Sequence, residues 1–210
     1  MSGREVPKQL PPSISKDFAQ FPRVDLKSRD VVYRAFADFR QPGWYSSDGS
    51  GRFDLSAPRG TLYVADTVKA AVRERLSGMF DAENRVAFTL VNDMAVADLS
   101  ITATGCADLG AEDLDQFGVT RELDTMVPYG IPRQWAHRFA SAKMGGIHYG
   151  TRSTRGAMNA WAVFGNAGQS MVKERGGRLD YITACDKAGL TILGKPISMV
   201  GAAVATPPTP

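Results

Sequence analysis

Short β-branched and aromatic runs recur along this 210-residue chain, but never in the regular strand-helix-strand alternation that a doubly wound parallel sheet demands. Residues 30–37 (DVVYRAFA) form the first convincing strand and 61–65 the next. Residues 85–91 and 94–104 read as two strands separated by Asn92 and Asp93, as a two-residue hairpin turn or a strand pair with a bulge, 145–149 opens another, and 160–165 (AWAVFG) reads as a buried one. Two more short strands are expected within 178–193, around Ala188 and Gly189. Helices are predicted after Asp66, placed as an N-cap, over 111–123, and over 132–143, where Trp135, Phe139 and Ala142 recur at helical spacing behind Pro132. This order predicts an α+β domain of mainly antiparallel strands over 30–195. Pro7, Pro11, Pro12 and Pro22 make 1–29 an extended arm, and 196–210 reads as a tail with little to bury.

Composition narrows the function classes. With 43% hydrophobic and 22% charged residues the chain is expected to be one soluble domain with a sizeable core. A net charge of +3, with no dense Lys/Arg block, does not suit a nucleic-acid surface and is at least as compatible with an anionic small molecule. The N-terminus lacks an apolar signal-peptide core and no run of apolar residues is long enough to span a bilayer, so a cytoplasmic location is expected. Cys106 and Cys185 cannot build a disulfide framework and are expected reduced and buried. His137 and His148 are the two histidines, and without CxxC or HxxxH spacing no metal site is expected. No GxSxG elbow is present, GLTILGK lacks the Ser/Thr of a P-loop because Pro196 follows, and a Cys106 and His148 pair would have to form through space.

Chemistry concentrates in residues 51–76, read as loop, strand and helix. Arg52 sits among turn formers, Tyr63 lies in the strand, and Glu74 lies off the helical stripe of Val68, Ala71, Val72 and Leu76, beside the small Ala70 and Ala71. Lys69 and Arg73 are expected to be solvated. Arg34 shares a strand face with Val32 and Phe36, a half-buried position that calls for an anion. A guanidinium grips phosphate through a fork of donors, a tyrosine ring stacks on a base, and a carboxylate meets a sugar hydroxyl or a developing cation. Each residue also has an ordinary reading, as solvated helix glutamate, exposed loop arginine or core tyrosine. As a set they suit a nucleotide better than a peptide.

The strings carrying these residues, taken in order, resemble the RES domain family. They are YR at Tyr33 and Arg34, GRFD from Gly51, LYVAD with a glutamate eleven residues beyond its tyrosine, and GIHYGTR followed by a glycine turn and an AVFG strand. The resemblance runs over residues 30–165. It implies an ADP-ribosyltransferase-like fold that takes NAD⁺ as substrate, breaks the nicotinamide-ribose bond and passes ADP-ribose to phosphate, water or a protein without a metal. By motif, Arg34 and Glu74 are catalytic, while Tyr33, Arg52 and Tyr63 hold the dinucleotide. The family's serine falls at Thr151, with Ser153 two residues on as a further candidate. Threonine keeps the hydroxyl, but its methyl restricts χ1. A catalytically weakened nucleotide- or partner-binding module is therefore the alternative. Better studied members are toxins of bacterial toxin-antitoxin pairs, so an Xre-type antitoxin is an expected partner, with a homodimer as a further expectation.

Overall fold

The computed structural model describes residues 8–154 and 158–194. Its strands are β1 (Arg23–Leu26), β2 (Val32–Ala37), β3 (Trp44–Tyr45), β4 (Arg59–Ala65), β5 (Arg85–Ala87), β6 (Met94–Ser100), β7 (Ala103–Asp108), β8 (Gly146–Gly150), β9 (Asn159–Asn166), β10 (Gly168–Gln169), β11 (Lys173–Glu174) and β12 (Thr191–Leu193). Its helices are α1 (Val68–Arg75), α2 (Gly130–Ser141) and α3 (Tyr181–Ala188). Eight strands make one sheet in the order β1-β7-β8-β9-β4-β2-β6-β11. Every pairing in it is antiparallel except that of β7 with β8. The α+β class with mainly antiparallel strands is therefore the observed one.

Strand order forces this sheet to fold on itself. β6 and β7 are linked by Ile101 and Thr102, yet they stand seventh and second in the order. Five strand spacings in a flat sheet would separate them by about 24 Å, whereas the link from Ser100 to Ala103 reaches at most about 11 Å. The sheet curls until its two ends meet. Its inner face buries Leu26, Val32, Leu62, Leu99, Trp161 and Val163 in one apolar cluster. On the outer face α1 and α3 cover β2 and β6, burying Val72, Leu76, Ala184 and Cys185. α2 covers β8 and β9 through Trp135 and Phe139.

Several expected elements are rearranged. The lead-in is more than an arm: Phe18 and Phe21 are buried, and β1 pairs with β7. Residues 85–91 shorten to β5 and a 3-10 turn, and β5 pairs in parallel with β12 rather than with β6. The run from Met94 breaks into β6 and β7, and the helix expected over 111–123 becomes two 3-10 turns, Leu114–Phe117 and Arg121–Asp124. Around Ala188 the chain is helical, because Asp180 caps Thr183 N–H and Gly189 ends α3 in the left-handed region at φ 66°. Thr67, not Asp66, caps α1 by accepting from Ala70 N–H, while Asp66 accepts from the Trp161 indole. The expected tail lies outside the described residues, among which no helix is long and apolar enough to cross a membrane.

Candidate active site

The fold leaves a gap where the two halves of the sheet meet. β2 and β4 are joined by one pairing, Tyr33 with Ala65, although β2 runs in register with β6 and β4 with β9 along their lengths. Beyond that pairing the strands diverge, and Ser46 takes the vacated place beside Thr61, exchanging N–H to O bonds of 2.9 and 2.8 Å. Since Thr61 turns both its main-chain groups to this side, strand alternation turns those of Tyr63 the same way. A cleft of about 430 Å³ opens at the divergence, between β2, β4 and the end of α1. That volume lies in the range of small-molecule sites.

Glu74 projects from the last turn of α1 into this cleft, with side-chain exposure of 17%. Its Oε1 accepts the Ser153 N–H at 3.1 Å and its Oε2 lies 3.9 Å from Arg52 Nη1. Arg52, expected on an exposed loop, is only 6% exposed. Its guanidinium lies near the rings of Tyr129 and Tyr149, 5.5 and 6.0 Å from their centroids. Its Nε is buried without a hydrogen-bond partner among the described residues. The loop is fastened to β4 by side chains. Phe53 N–H donates to the Tyr63 hydroxyl at 2.8 Å, and that hydroxyl donates to Asp54 Oδ1 at 2.9 Å. Asp54 Oδ2 accepts in turn from Gly51 N–H and Ser46 Oγ.

This geometry separates the sequence candidates. Arg34, Arg52, Tyr33, Tyr63 and Glu74 all line the cleft. Arg34 does share the inner face with Val32, but its partners are neutral: Nη1 donates to the carbonyls of Pro42 and Trp44, both at 2.8 Å. Burial, and then the Arg75 charge, bring its pKa down to about 10. Tyr63 carries a structural load through its hydroxyl, whose ionisation burial and the Asp54 carboxylate push well up. Thr151 does not line the cleft; its Oγ1 bonds to the Met158 carbonyl at 3.1 Å and meets the Thr154 hydroxyl. Ser153 instead reaches Glu74 with its N–H, and its Oγ donates to Ser77 Oγ at 2.9 Å. Arg73, expected to be solvated, bonds to the Ala188 carbonyl and to Asn84.

Other functional groups escaped the sequence reading. Asp124 ends the second 3-10 turn, accepts Gly150 N–H at 3.2 Å through Oδ2, and keeps a buried Oδ1 without a hydrogen-bond partner among the described residues. Burial, against the pull of that N–H and of Arg52, raises its pKa to about 7. Tyr149, within the quoted GIHYGTR string, is buried against Phe53 with ring centroids 5.1 Å apart, and burial pushes its phenol up. No spacing in the sequence links Asp124, Tyr129 and Tyr149 to Arg52. The Cys106 and His148 pair does not form a nucleophilic site: burial raises the Cys106 thiol to about 12, and His148 Nδ1 pairs with Asp108 at 3.0 Å.

An α+β fold with a carboxylate and arginines in the cleft of a divided sheet is what these features define. The family model described as "RES domain" matches residues 23–182, and the chain belongs to that family. Among solved structures it is similar to a chain of the M. tuberculosis MbcT-MbcA toxin-antitoxin complex, with a TM-score of 0.57 and 14% identity over 76% of this chain and 89% of that one. No curated protein matches it.

Proposed function

We propose that the chain is an NAD⁺-consuming enzyme that cleaves the nicotinamide-ribose bond and transfers ADP-ribose to phosphate, water or a protein, acting as the toxin of a toxin-antitoxin pair. The observation that carries this reading is Glu74, held in the cleft by the Ser153 N–H on one oxygen and Arg52 beside the other. As the C1′–N bond breaks, its electron pair leaves with nicotinamide and positive charge develops on the ribose. A carboxylate fixed in advance stabilises that charge without reorganising, and Arg52 and Ser153 keep it oriented. Tyr33 and Tyr63 line the cleft in which a nicotinamide ring would sit. Family membership supports NAD⁺ as the substrate, and the likeness to a toxin-antitoxin structure supports an antitoxin partner, of the Xre type by resemblance.

A second reading is favoured by Thr151, whose hydroxyl is engaged within its own turn: a module that binds the nucleotide and has lost the reaction. Mass spectrometry of products after incubation with NAD⁺, with and without phosphate, separates the two. The enzyme reading expects free nicotinamide together with ADP-ribose, its phosphorylated form or an ADP-ribosylated protein. Glu74→Gln and Arg34→Ala are expected to lower turnover by roughly 10²-fold or more with the fold intact. Intact NAD⁺ beside calorimetric binding would support the module instead, and unchanged turnover in both variants would remove the assigned roles.

A further inference from the structure

We infer that Arg75, together with the open edge of Arg34, holds the diphosphate of a dinucleotide at the mouth of the cleft. This rests on the NAD⁺ reading and deepens it by separating the anion-holding end from the bond-breaking end. Three arginines and a single carboxylate line the cleft: Arg34, Arg52, Arg75 and Glu74. Arg52 and Glu74 face each other, so that pair is internally compensated. The charges of Arg34 and Arg75 are not.

Arg34 is tethered by Nη1 alone, to Pro42 and Trp44. Its Nε and Nη2 make no hydrogen bond to the described residues, and these two donors form one fork of the guanidinium, the geometry that takes a phosphate bidentately. Arg75 ends α1, is exposed at the rim, and has neither hydrogen bond nor ion pair among the described residues. The charges around the pair are few. Arg40 adds another cation near Arg75, Asp93 is the carboxylate acting on it from beyond ion-pair distance, and the Tyr45 phenol lies near Arg34. The C-terminal dipole of α1 favours a cation at Arg75, but its partial charge of about one half cannot neutralise two guanidinium groups. Two like charges brought to one opening are stabilised together by an anion that bridges them, and the diphosphate is the anionic part of the dinucleotide.

Calorimetry with inorganic pyrophosphate, ADP and nicotinamide on wild type, Arg75→Gln, Arg75→Lys and Lys69→Gln tests this. Lys69 is exposed on the same helix and does not line the cleft. Arg75→Gln should bind pyrophosphate and ADP about tenfold more weakly or worse, as loss of a charge-assisted contact implies. Arg75→Lys should recover part of the loss, Lys69→Gln should match wild type, and nicotinamide binding should not change. Equal affinity of Arg75→Gln and wild type for pyrophosphate overturns the inference. NAD⁺ turnover distinguishes the two layers. Consumption by wild type and Arg75→Gln with the same KM removes the Arg75 role and leaves the enzyme reading standing. Arg75-dependent pyrophosphate binding in a protein that leaves NAD⁺ intact does the reverse.

Discussion

Asp124 illustrates how one carboxyl can couple the site to pH. In an unfolded chain it releases its proton near pH 4, and in the folded protein at about 7. Between those limits the folded state holds the proton more tightly, so this group makes stability fall as pH rises from about 4 to about 7 and level off above. Asp124→Asn keeps an acceptor for Gly150 N–H and cannot ionise. Thermal denaturation should therefore show the variant gaining on wild type between pH 5 and pH 8; parallel pH profiles would mean that the carboxyl is ionised throughout. The residue also shows the limit of motif reading. Arg34, Arg52 and Glu74 lie in recognisable strings, whereas Asp124 is drawn to them by a 3-10 turn that the sequence pattern did not signal.

At the scale of elements, the loop bearing Arg52 and the strand β4 act as one unit. Thr61 Oγ1 donates to the Phe53 carbonyl and accepts from Leu55 N–H, and the Tyr63 hydroxyl joins Phe53 N–H to Asp54. Tyr63→Phe keeps a ring of the same shape but strands a donor and an acceptor, at a cost of about 1–3 kcal/mol. Urea unfolding should show that loss together with reduced turnover, because Arg52 loosens; if Tyr63 served by ring stacking alone, both would stay at wild-type values. Gly51→Ala tests the same seam from the other side, since its Cβ would land on Asp54 Oδ1 and the Tyr63 hydroxyl. Arg52 is thus buried by a network of side chains seated on a strand. In sequence, the same Gly, Ser and Asp residues look like an ordinary solvated loop.

For the whole molecule, the cleft depends on how the curled sheet is closed. The lead-in packs into the apolar cluster under α2: Phe18 stacks on Phe21 at 5.8 Å, meets Trp135 and Phe139 edge-on at 5.8 and 5.9 Å, and Phe21 lies 4.9 Å from Phe117. Phe18→Ala should cost about 3–5 kcal/mol, measured by denaturant unfolding. A change below 1 kcal/mol would return the segment to the status of an arm.

Residue order alone was enough to indicate an α+β class and the strands β2, β4, β8 and β9, because period-two apolar alternation and β-branched content are local properties of the chain. It also placed Arg34, Arg52, Glu74 and Tyr63 in one constellation. Tertiary structure decided what those side chains are to one another. Strand order curls the sheet, β2 parts from β4, burial leaves Arg52 to Glu74 and the tyrosines, and the Thr151 hydroxyl bonds to the Met158 carbonyl while the Ser153 N–H reaches Glu74. Such outcomes depend on contacts between residues tens of positions apart, which no local periodicity records.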